Sequence, residues 1–279
     1  MHQIIRHIRQ ELGEHYSLSE TNALARIILE EVSGFTFADI ASGKFSNLSD
    51  WQERKLQQIL SRLKKGEPFQ YVLGKTIFYG IGLRVGPEVL IPRPETEELV
   101  EWIIADSGES PAAILDIGTG SGCIAIALAV NMRQAAVHAW DISVAALQLA
   151  QENARLNRAE VLFRQHDILE PFPVEAQYDL IVSNPPYIPQ SEKTSMDRIV
   201  TAYEPGEALF VPDSNPLLFY ERIASLAGER LTERGRLFFE IHRSRGEEVC
   251  VMLHEKGFRD VELRKDLSGN ERMVRAVKP

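Results

Sequence analysis

Hydrophobic spacing along the chain changes near residue 73. Before that point apolar residues recur at helical intervals, beginning with Ile4, Ile5, Ile8 and Leu12. Ser17-Leu-Ser-Glu20 has the form of a capping box and precedes Ala23, Leu24, Ile27 and Ile28. Gly34 marks the end of that helix. Ser49-Asp-Trp-Gln52 is a second capping box. The helix it opens runs through Leu56, Ile59, Leu60 and Leu63 to Lys64-Lys65-Gly66. The pattern predicts three or four short helices in a small bundle.

Beyond residue 73 the pattern shortens. Ile77-Phe78-Tyr-Gly-Ile81-Gly-Leu83-Arg-Val85 places glycines among β-forming residues and predicts a hairpin. Ile91-Pro-Arg-Pro-Glu-Thr-Glu-Glu98 puts proline ahead of an acidic first turn, a helix start. From Ala112 strand and helix alternate. Strands are predicted at 113–117, 136–140, 161–163, 180–182, 236–241, 261–263 and 273–277. Helices are predicted at 122–131, 143–157, 216–231 and 245–256. Such alternation predicts an α/β fold with an open, mostly parallel sheet covered on both faces.

Composition narrows the class without changing the fold. A chain of 279 residues is one large or two modest domains. Its 44% apolar and 25% charged residues are ordinary for a globular chain able to bury a full core. The net charge of −9 and a pI near 5.4 weigh against a dedicated nucleic-acid binder. Cys123 and Cys250 are the only cysteines, so a disulfide framework is not expected and a reducing cytoplasm is. The longest apolar run, Cys123 to Val130, is too short for a bilayer, and no signal-peptide pattern opens the chain.

Candidate chemistry falls at the ends of predicted strands. Asp116-Ile-Gly118-Thr119-Gly120-Ser121-Gly122 lies between a strand and its helix, where glycines permit a tight turn and close approach of a ligand. The spacing is not the Gly-x-Gly-x-x-Gly of dinucleotide folds. An acidic residue before the turn welcomes a cationic amino group and repels a pyrophosphate. Both points favour S-adenosyl-L-methionine over NAD. Asp141 ends the next strand, where a carboxylate can accept from ribose hydroxyls. A plain turn or cap residue is the competing reading. Asp167 ends the third strand and suits the adenine amino group, with Ile168 against the ring; a solvated loop carboxylate is its alternative.

Asn184-Pro185-Pro186-Tyr187 follows the fourth strand. Asn184 offers a side-chain carbonyl. Proline nitrogens cannot donate and two of them stiffen the turn, leaving the Pro185 carbonyl to accept from a ligand. Tyr187 supplies an aromatic wall. Two acceptors and a ring face make a cradle for a planar NH2 group. Seven scattered histidines and two distant cysteines give no metal-ligand spacing. Ser121 and Cys123 lack the adjacent base of a nucleophile motif. Glu95 and Glu97 read as first-turn acids of a helix, Glu95 with a possible reach to the cofactor's amino group.

At this point the chain resembles the HemK/PrmC family of protein-(glutamine-N5) methyltransferases. The resemblance covers nearly the whole chain. It is carried by Pro68-Phe-Gln-Tyr-Val-Leu-Gly74, Leu90-Ile-Pro-Arg-Pro-Glu-Thr-Glu97, Asp116 to Gly122, Val182-Ser-Asn-Pro-Pro-Tyr-Ile188 and Tyr203-Glu-Pro-Gly-Glu-Ala-Leu209. It implies methylation of the glutamine amide in a Gly-Gly-Gln motif of class 1 peptide-chain release factors, with S-adenosyl-L-homocysteine as product. It further implies a Rossmann-like class I methyltransferase sheet of seven strands, the last antiparallel. By motif, Gly118 to Gly122, Asp141, Ile168 and Asn184 match cofactor positions, and Asn184 to Tyr187 match the substrate stretch. Three segments are then expected: a helical substrate-recognition domain over 1–73, a β-hairpin linker over 74–94 and a methyltransferase domain over 95–279. A cytoplasmic monomer is expected, with no membrane and no direct nucleic-acid partner.

Two stretches leave the family pattern. Ala208-Leu209 runs into Phe-Val-Pro-Asp-Ser-Asn-Pro216, where the family usually has glycines and Asp-Gly-Leu. Glu240-Ile241 is followed by His242 and then Arg245, where the family often has Gly and Gln. Two other functions stay open. Amino-methyltransferases of adenine or guanine share the Asn-Pro-Pro-Tyr cradle, and a non-catalytic docking domain would lose Asn184 or the glycines.

Overall fold

The structure, a computed structural model, describes residues 2–42, 44–45, 47–107, 112–171 and 176–279. The chain divides into two compact units, Met1–Gly74 and Lys75–Pro279.

The first unit is helical: α1 (His2–Leu12), α2 (Leu18–Ser33), α3 (Phe37–Ala41), α4 (Asp50–Leu63) and α5 (Phe69–Leu73). Both capping boxes form, at Ser17 with Glu20 and at Ser49 with Gln52. Gly34 closes α2 in the left-handed region, where a residue without Cβ is unstrained. Ile8, Leu12, Leu24, Ile28, Leu60 and Leu63 interlock as its core. The five-residue α5 is too short for a periodic signal. The Arg62 guanidinium of α4 holds its end by donating to the carbonyls of Tyr71 and Val72, each at 3.1 Å.

The second unit begins with a hairpin, β1 (Lys75–Phe78) and β2 (Ile81–Arg84). Its two turn residues, Tyr79 and Gly80, have φ of 45° and 77°, as a two-residue hairpin turn requires. Tyr79 is held there by its N–H, which donates to Glu97 Oε1 at 2.8 Å. Residues 75–94 of the segment expected as a linker lie in this unit, and Phe78, Ile81 and Leu83 bury their side chains in its core. Asn153 fastens the hairpin further. Its Oδ1 accepts from Arg84 N–H at 2.7 Å, and its Nδ2 donates to the Arg84 carbonyl at 3.0 Å and the Ser121 carbonyl at 2.9 Å.

Helix α6 (Pro94–Asp106) follows, then β3 (Ala113–Ile117), α7 (Cys123–Asn131), β4 (Ala136–Asp141), α8 (Val144–Asn157), β5 (Val161–Gln165) and β6 (Tyr178–Ser183). A two-residue parallel pair, β7 (Ile188–Pro189) with β8 (Phe210–Val211), brackets α9 (Arg198–Tyr203). Helix α10 (Leu218–Arg230), β9 (Leu231–Glu240), α11 (Gly246–Glu255), β10 (Arg259–Lys265) and β11 (Glu271–Val277) complete the unit.

Seven strands form one sheet in the order β10-β11-β9-β6-β3-β4-β5, with β11 antiparallel to both neighbours and the others parallel. Alternate residues feed opposite faces. Ile114, Val137, Leu180 and Phe238 pack with α6 and α7, whereas Leu115, Trp140, Ile181 and Phe239 pack with α10 and α11. The wiring reverses direction between β3 and β6, and ligands bind at such a switch point, outside the carboxyl ends of the strands. There the Ser183 hydroxyl donates to the Ile117 carbonyl at 2.6 Å and ties the ends of β6 and β3 together.

Candidate active site

Loops after β3, β4, β5 and β6 border one cavity of about 560 Å³. The glycine turn after β3 supplies its floor. Gly118 and Gly120 have φ of 72° and 54°, and a Cβ built on either would meet no atom within 4 Å. Bare main chain therefore faces open space, with Thr119 and Ser121 beside it in the lining. The N–H groups of Gly118 and Thr119 donate to the Trp140 carbonyl at 2.8 and 3.0 Å, which fixes the turn against β4. Gly122 differs: it does not line the cavity, and its Cβ would lie 2.9 Å from Ile126 Cδ1 and 3.1 Å from Ala150 Cβ. Its smallness lets α7 approach α8.

Asp116 does not line the cavity either. Its carboxylate is wholly buried beneath the turn, where Oδ2 accepts from the Thr119 hydroxyl at 2.6 Å and the Ala125 N–H at 3.2 Å. Burial pushes this carboxyl up to about 7, against those two donors. Through Oδ2 the acid braces the glycine turn against the start of α7, while its buried Oδ1 has no hydrogen-bond partner among the described residues. Physically, the unpaired N–H groups at a helix start compete for the acid.

Asp141 and Asp167 both line the cavity, as does Ile168. Asp141 Oδ2 accepts from Gly120 N–H at 2.8 Å and Oδ1 from Ser143 N–H at 2.9 Å. A carboxylate has about four acceptor sites, so it can take further donors. Burial raises its carboxyl and the charge of Glu207 adds to that, while the backbone amides of Ser143, Gly120 and Ile142 oppose. Asp167 Oδ1 accepts from Leu169 N–H at 2.9 Å, and Arg222 Nε donates to the Ile168 carbonyl at 2.9 Å, fixing the loop. Cys123 is also in the lining, but burial pushes its thiol up to about 12 and keeps it protonated.

Asn184, Pro185 and Pro186 border the same cavity. Asn184 Nδ2 donates to the Thr96 hydroxyl at 3.4 Å. Thr96 in turn donates to Glu240 Oε2 at 2.6 Å. Tyr187 stands outside the lining; its hydroxyl donates to Glu240 Oε1 at 3.2 Å and its ring meets His242 edge-on at 6.0 Å. Burial and the neighbouring Glu240 hold the Tyr187 phenol well above its ordinary range. Thr96 and Glu240 escaped the sequence reading. Glu240 ends a strand at the same sheet edge as Asn184, which is the signal that points to it.

Two further sets of contacts involve the motif residues and the divergent stretches. The Arg93 guanidinium, in the lining, donates to Glu204 at 2.6 Å, and Glu204 also accepts from Ile91 N–H at 3.2 Å. This pair joins the Leu90–Glu97 and Tyr203–Leu209 motifs. In the first divergent stretch Asp213 accepts from the Ser191 N–H and hydroxyl at 3.0 and 2.7 Å, and in the second His242 Nε2 lies 3.3 Å from Glu192. Glu95 is absent from the lining, and no group of metal-ligating side chains occurs among the described residues.

The lining chemistry suits S-adenosyl-L-methionine. Glu88, Asp141, Asp167 and Glu207 line the cavity together with the bare glycine turn, and the guanidinium in that lining, Arg93, is paired. A cation is favoured there and a pyrophosphate is not.

Sheet order, glycine turn and strand-end acids are those of a class I methyltransferase. Family models agree: a methyltransferase small domain matches residues 96–204 and a PrmC N-terminal domain matches 3–74. The fold recurs in a solved 16S rRNA N2 methyltransferase of T. thermophilus in complex with AdoMet and guanosine, at TM-score 0.54 and 20% identity over 74% of this chain and 50% of that one. The release factor glutamine methyltransferase of Bacteroides thetaiotaomicron is 44% identical over 99% of both chains. That of Flavobacterium psychrophilum is 42% identical over 95% of both. The chain belongs to the release factor glutamine methyltransferase family. No helix among the described residues is long and apolar enough to cross a membrane.

Proposed function

We propose that this chain methylates the side-chain amide nitrogen of the glutamine in a Gly-Gly-Gln motif of class 1 release factors. S-adenosyl-L-methionine is the donor and S-adenosyl-L-homocysteine the product. One observation carries the reading: Asn184, Pro185 and Pro186 border the same cavity as the bare glycine turn and Asp141, in a chain similar over its whole length to such enzymes.

The donor supplies an electrophilic methyl group when bound. Main chain from Gly118 to Ser121 receives its amino-acid end, Asp141 accepts from the ribose hydroxyls, Asp167 accepts from the adenine amino group and Ile168 packs on the ring. An amide nitrogen is a poor nucleophile because its lone pair is delocalised. No side chain in the lining is basic enough to deprotonate an amide, so positioning must provide the rate. Asn184 Oδ1 and the Pro185 carbonyl accept the two amide hydrogens and aim the nitrogen. As that nitrogen gains positive charge, both acceptors bind it more strongly than in the ground state. Its surplus proton then leaves to water. Tyr187, held by Glu240, stiffens the loop that carries both acceptors.

Incubation with a Gly-Gly-Gln protein and the donor, read by mass spectrometry, tests the proposal. The expected result is one added methyl group on the glutamine. Methylation of bulk DNA or RNA with the protein left unmodified would reject it.

Residues 1–73 are assigned recognition of the body of the release factor. Their removal is expected to spare binding of the donor and to cut activity on whole release factor more than on a short Gly-Gly-Gln peptide. Equal losses on both substrates would make these helices a structural cap only. The paucity of cysteine fits a cytoplasmic setting, and the reading needs only a monomer.

A further inference from the structure

We infer that Thr96 and Glu240 are positioning residues that decide which end of the Asn184 amide faces the reacting nitrogen. The inference rests on the assignment of Asn184 as an acceptor for the glutamine amide. An asparagine amide has two ends of nearly equal shape and opposite hydrogen-bonding sense. Turned the wrong way, Asn184 would offer N–H groups to a substrate NH2, and donor would meet donor. Something in the protein must break that symmetry.

A hydrogen-bond relay does so. Glu240 and Thr96 are 1% and 2% exposed, at the end of β9 and in the first turn of α6. Both Glu240 oxygens accept, Oε2 from Thr96 Oγ1 at 2.6 Å and Oε1 from Tyr187 at 3.2 Å. A hydroxyl has one proton. With that proton committed to Glu240, Thr96 Oγ1 can only accept on its remaining side. Asn184 Nδ2 is the group 3.4 Å away. An amide oxygen in that place would face an oxygen with no proton to share. Nδ2 is therefore drawn inward, and Oδ1 has no hydrogen bond to any described residue. The long bond has room to tighten when substrate fills the cradle. Burial raises the Glu240 carboxyl, and the Thr96 hydroxyl, Arg272 and the Tyr187 hydroxyl oppose that rise.

The test uses the full-length chain with a Gly-Gly-Gln protein as methyl acceptor. Thr96→Val deletes the hydroxyl at similar size. Glu240→Gln keeps the shape but lets an Nε2–H donate to Thr96, which turns the hydroxyl proton toward Asn184. Each is expected to lower kcat by about tenfold or more, as loss of an interaction made in the transition state does. Affinity for S-adenosyl-L-methionine, read by titration, should fall much less than kcat, because the glycine turn, Asp141, Asp167 and Ile168 keep their places in the lining. Thr96→Ser should recover most of the lost rate. Added to Asn184→Ala, Thr96→Val should cost nothing further, since residues acting through one group are not additive.

Near-normal kcat for both Thr96→Val and Glu240→Gln, with Asn184→Ala slow, would overturn this inference alone. So would full additivity of Thr96→Val with Asn184→Ala. Near-normal kcat for Asn184→Ala would instead overturn the acceptor role beneath it. If Thr96→Val fails to fold, Glu240→Gln and Thr96→Ser decide: a fast Glu240→Gln or a Thr96→Ser without recovery overturns the inference.

Discussion

Asn184→Ala turns over at least about 100-fold more slowly than the unaltered chain, the scale set by removing one preorganised polar group from a reacting centre. The loss falls on kcat. Alanine removes Oδ1, so a single acceptor, the Pro185 carbonyl, remains for the glutamine amide. The nitrogen can then rotate about that contact, and a small error of aim is costly in an in-line transfer. Donor affinity changes less, because the glycine turn, Asp141 and Ile168 are untouched. Single-turnover rates with saturating donor separate the two effects. A rate near that of the unaltered chain would end the cradle mechanism.

Asp141→Ala weakens donor binding by about 10- to 100-fold, the worth of hydrogen bonds to a charged group. Two losses combine. The ribose hydroxyls lose their acceptor, and the N–H groups of Gly120 and Ser143 lose the carboxylate that holds them at 2.8 and 2.9 Å. The second loss loosens the glycine turn itself. At saturating donor the rate of Asp141→Ala should recover much more fully than that of Asn184→Ala. Calorimetric titration with S-adenosyl-L-methionine measures the effect, and an unchanged isotherm rejects the ribose assignment.

The fold was legible where local chemistry and tertiary context agree. Both capping boxes declared their helices, and the strand-helix alternation from Ala113 onward declared the sheet. β9 starts five residues earlier than its apolar run, at Leu231. The reason is a register shift against β6 between Tyr178 and Leu180, with Arg234 in the left-handed region at φ 60°. An irregular, charged stretch hides such a strand from any period-two pattern. Helix α9 and the β7–β8 pair are too short to carry a period at all.

The candidate site divides along the same line. Gly118 to Ser121 and Asn184 to Pro186 come to one cavity as contiguous motifs because each lies in a single turn at a strand end. The burial of Asp116 was not legible, because a strand-end acid can face a ligand or lie under its own turn, and its bond to the Ala125 N–H depends on how α7 starts. Thr96 and Glu240 were missed because their meeting spans 144 residues and depends on sheet order.

Asn153 has a consequence for how the hairpin can evolve. It reads only main chain, the N–H and carbonyl of Arg84 and the carbonyl of Ser121. Side chains along β2 that face outward are thus free to drift; Arg84 contributes only an exposed pair with Glu152, worth little. Insertion or deletion of a single residue is another matter. Main-chain N–H and C=O groups of a strand alternate in direction, so a one-residue slip turns the paired groups of Arg84 away from Asn153 and lifts Ile81 and Leu83 out of the core. The outward face of the hairpin is open to substitution and its length is closed to change, and through Ser121 that constraint reaches the glycine turn that lines the cavity.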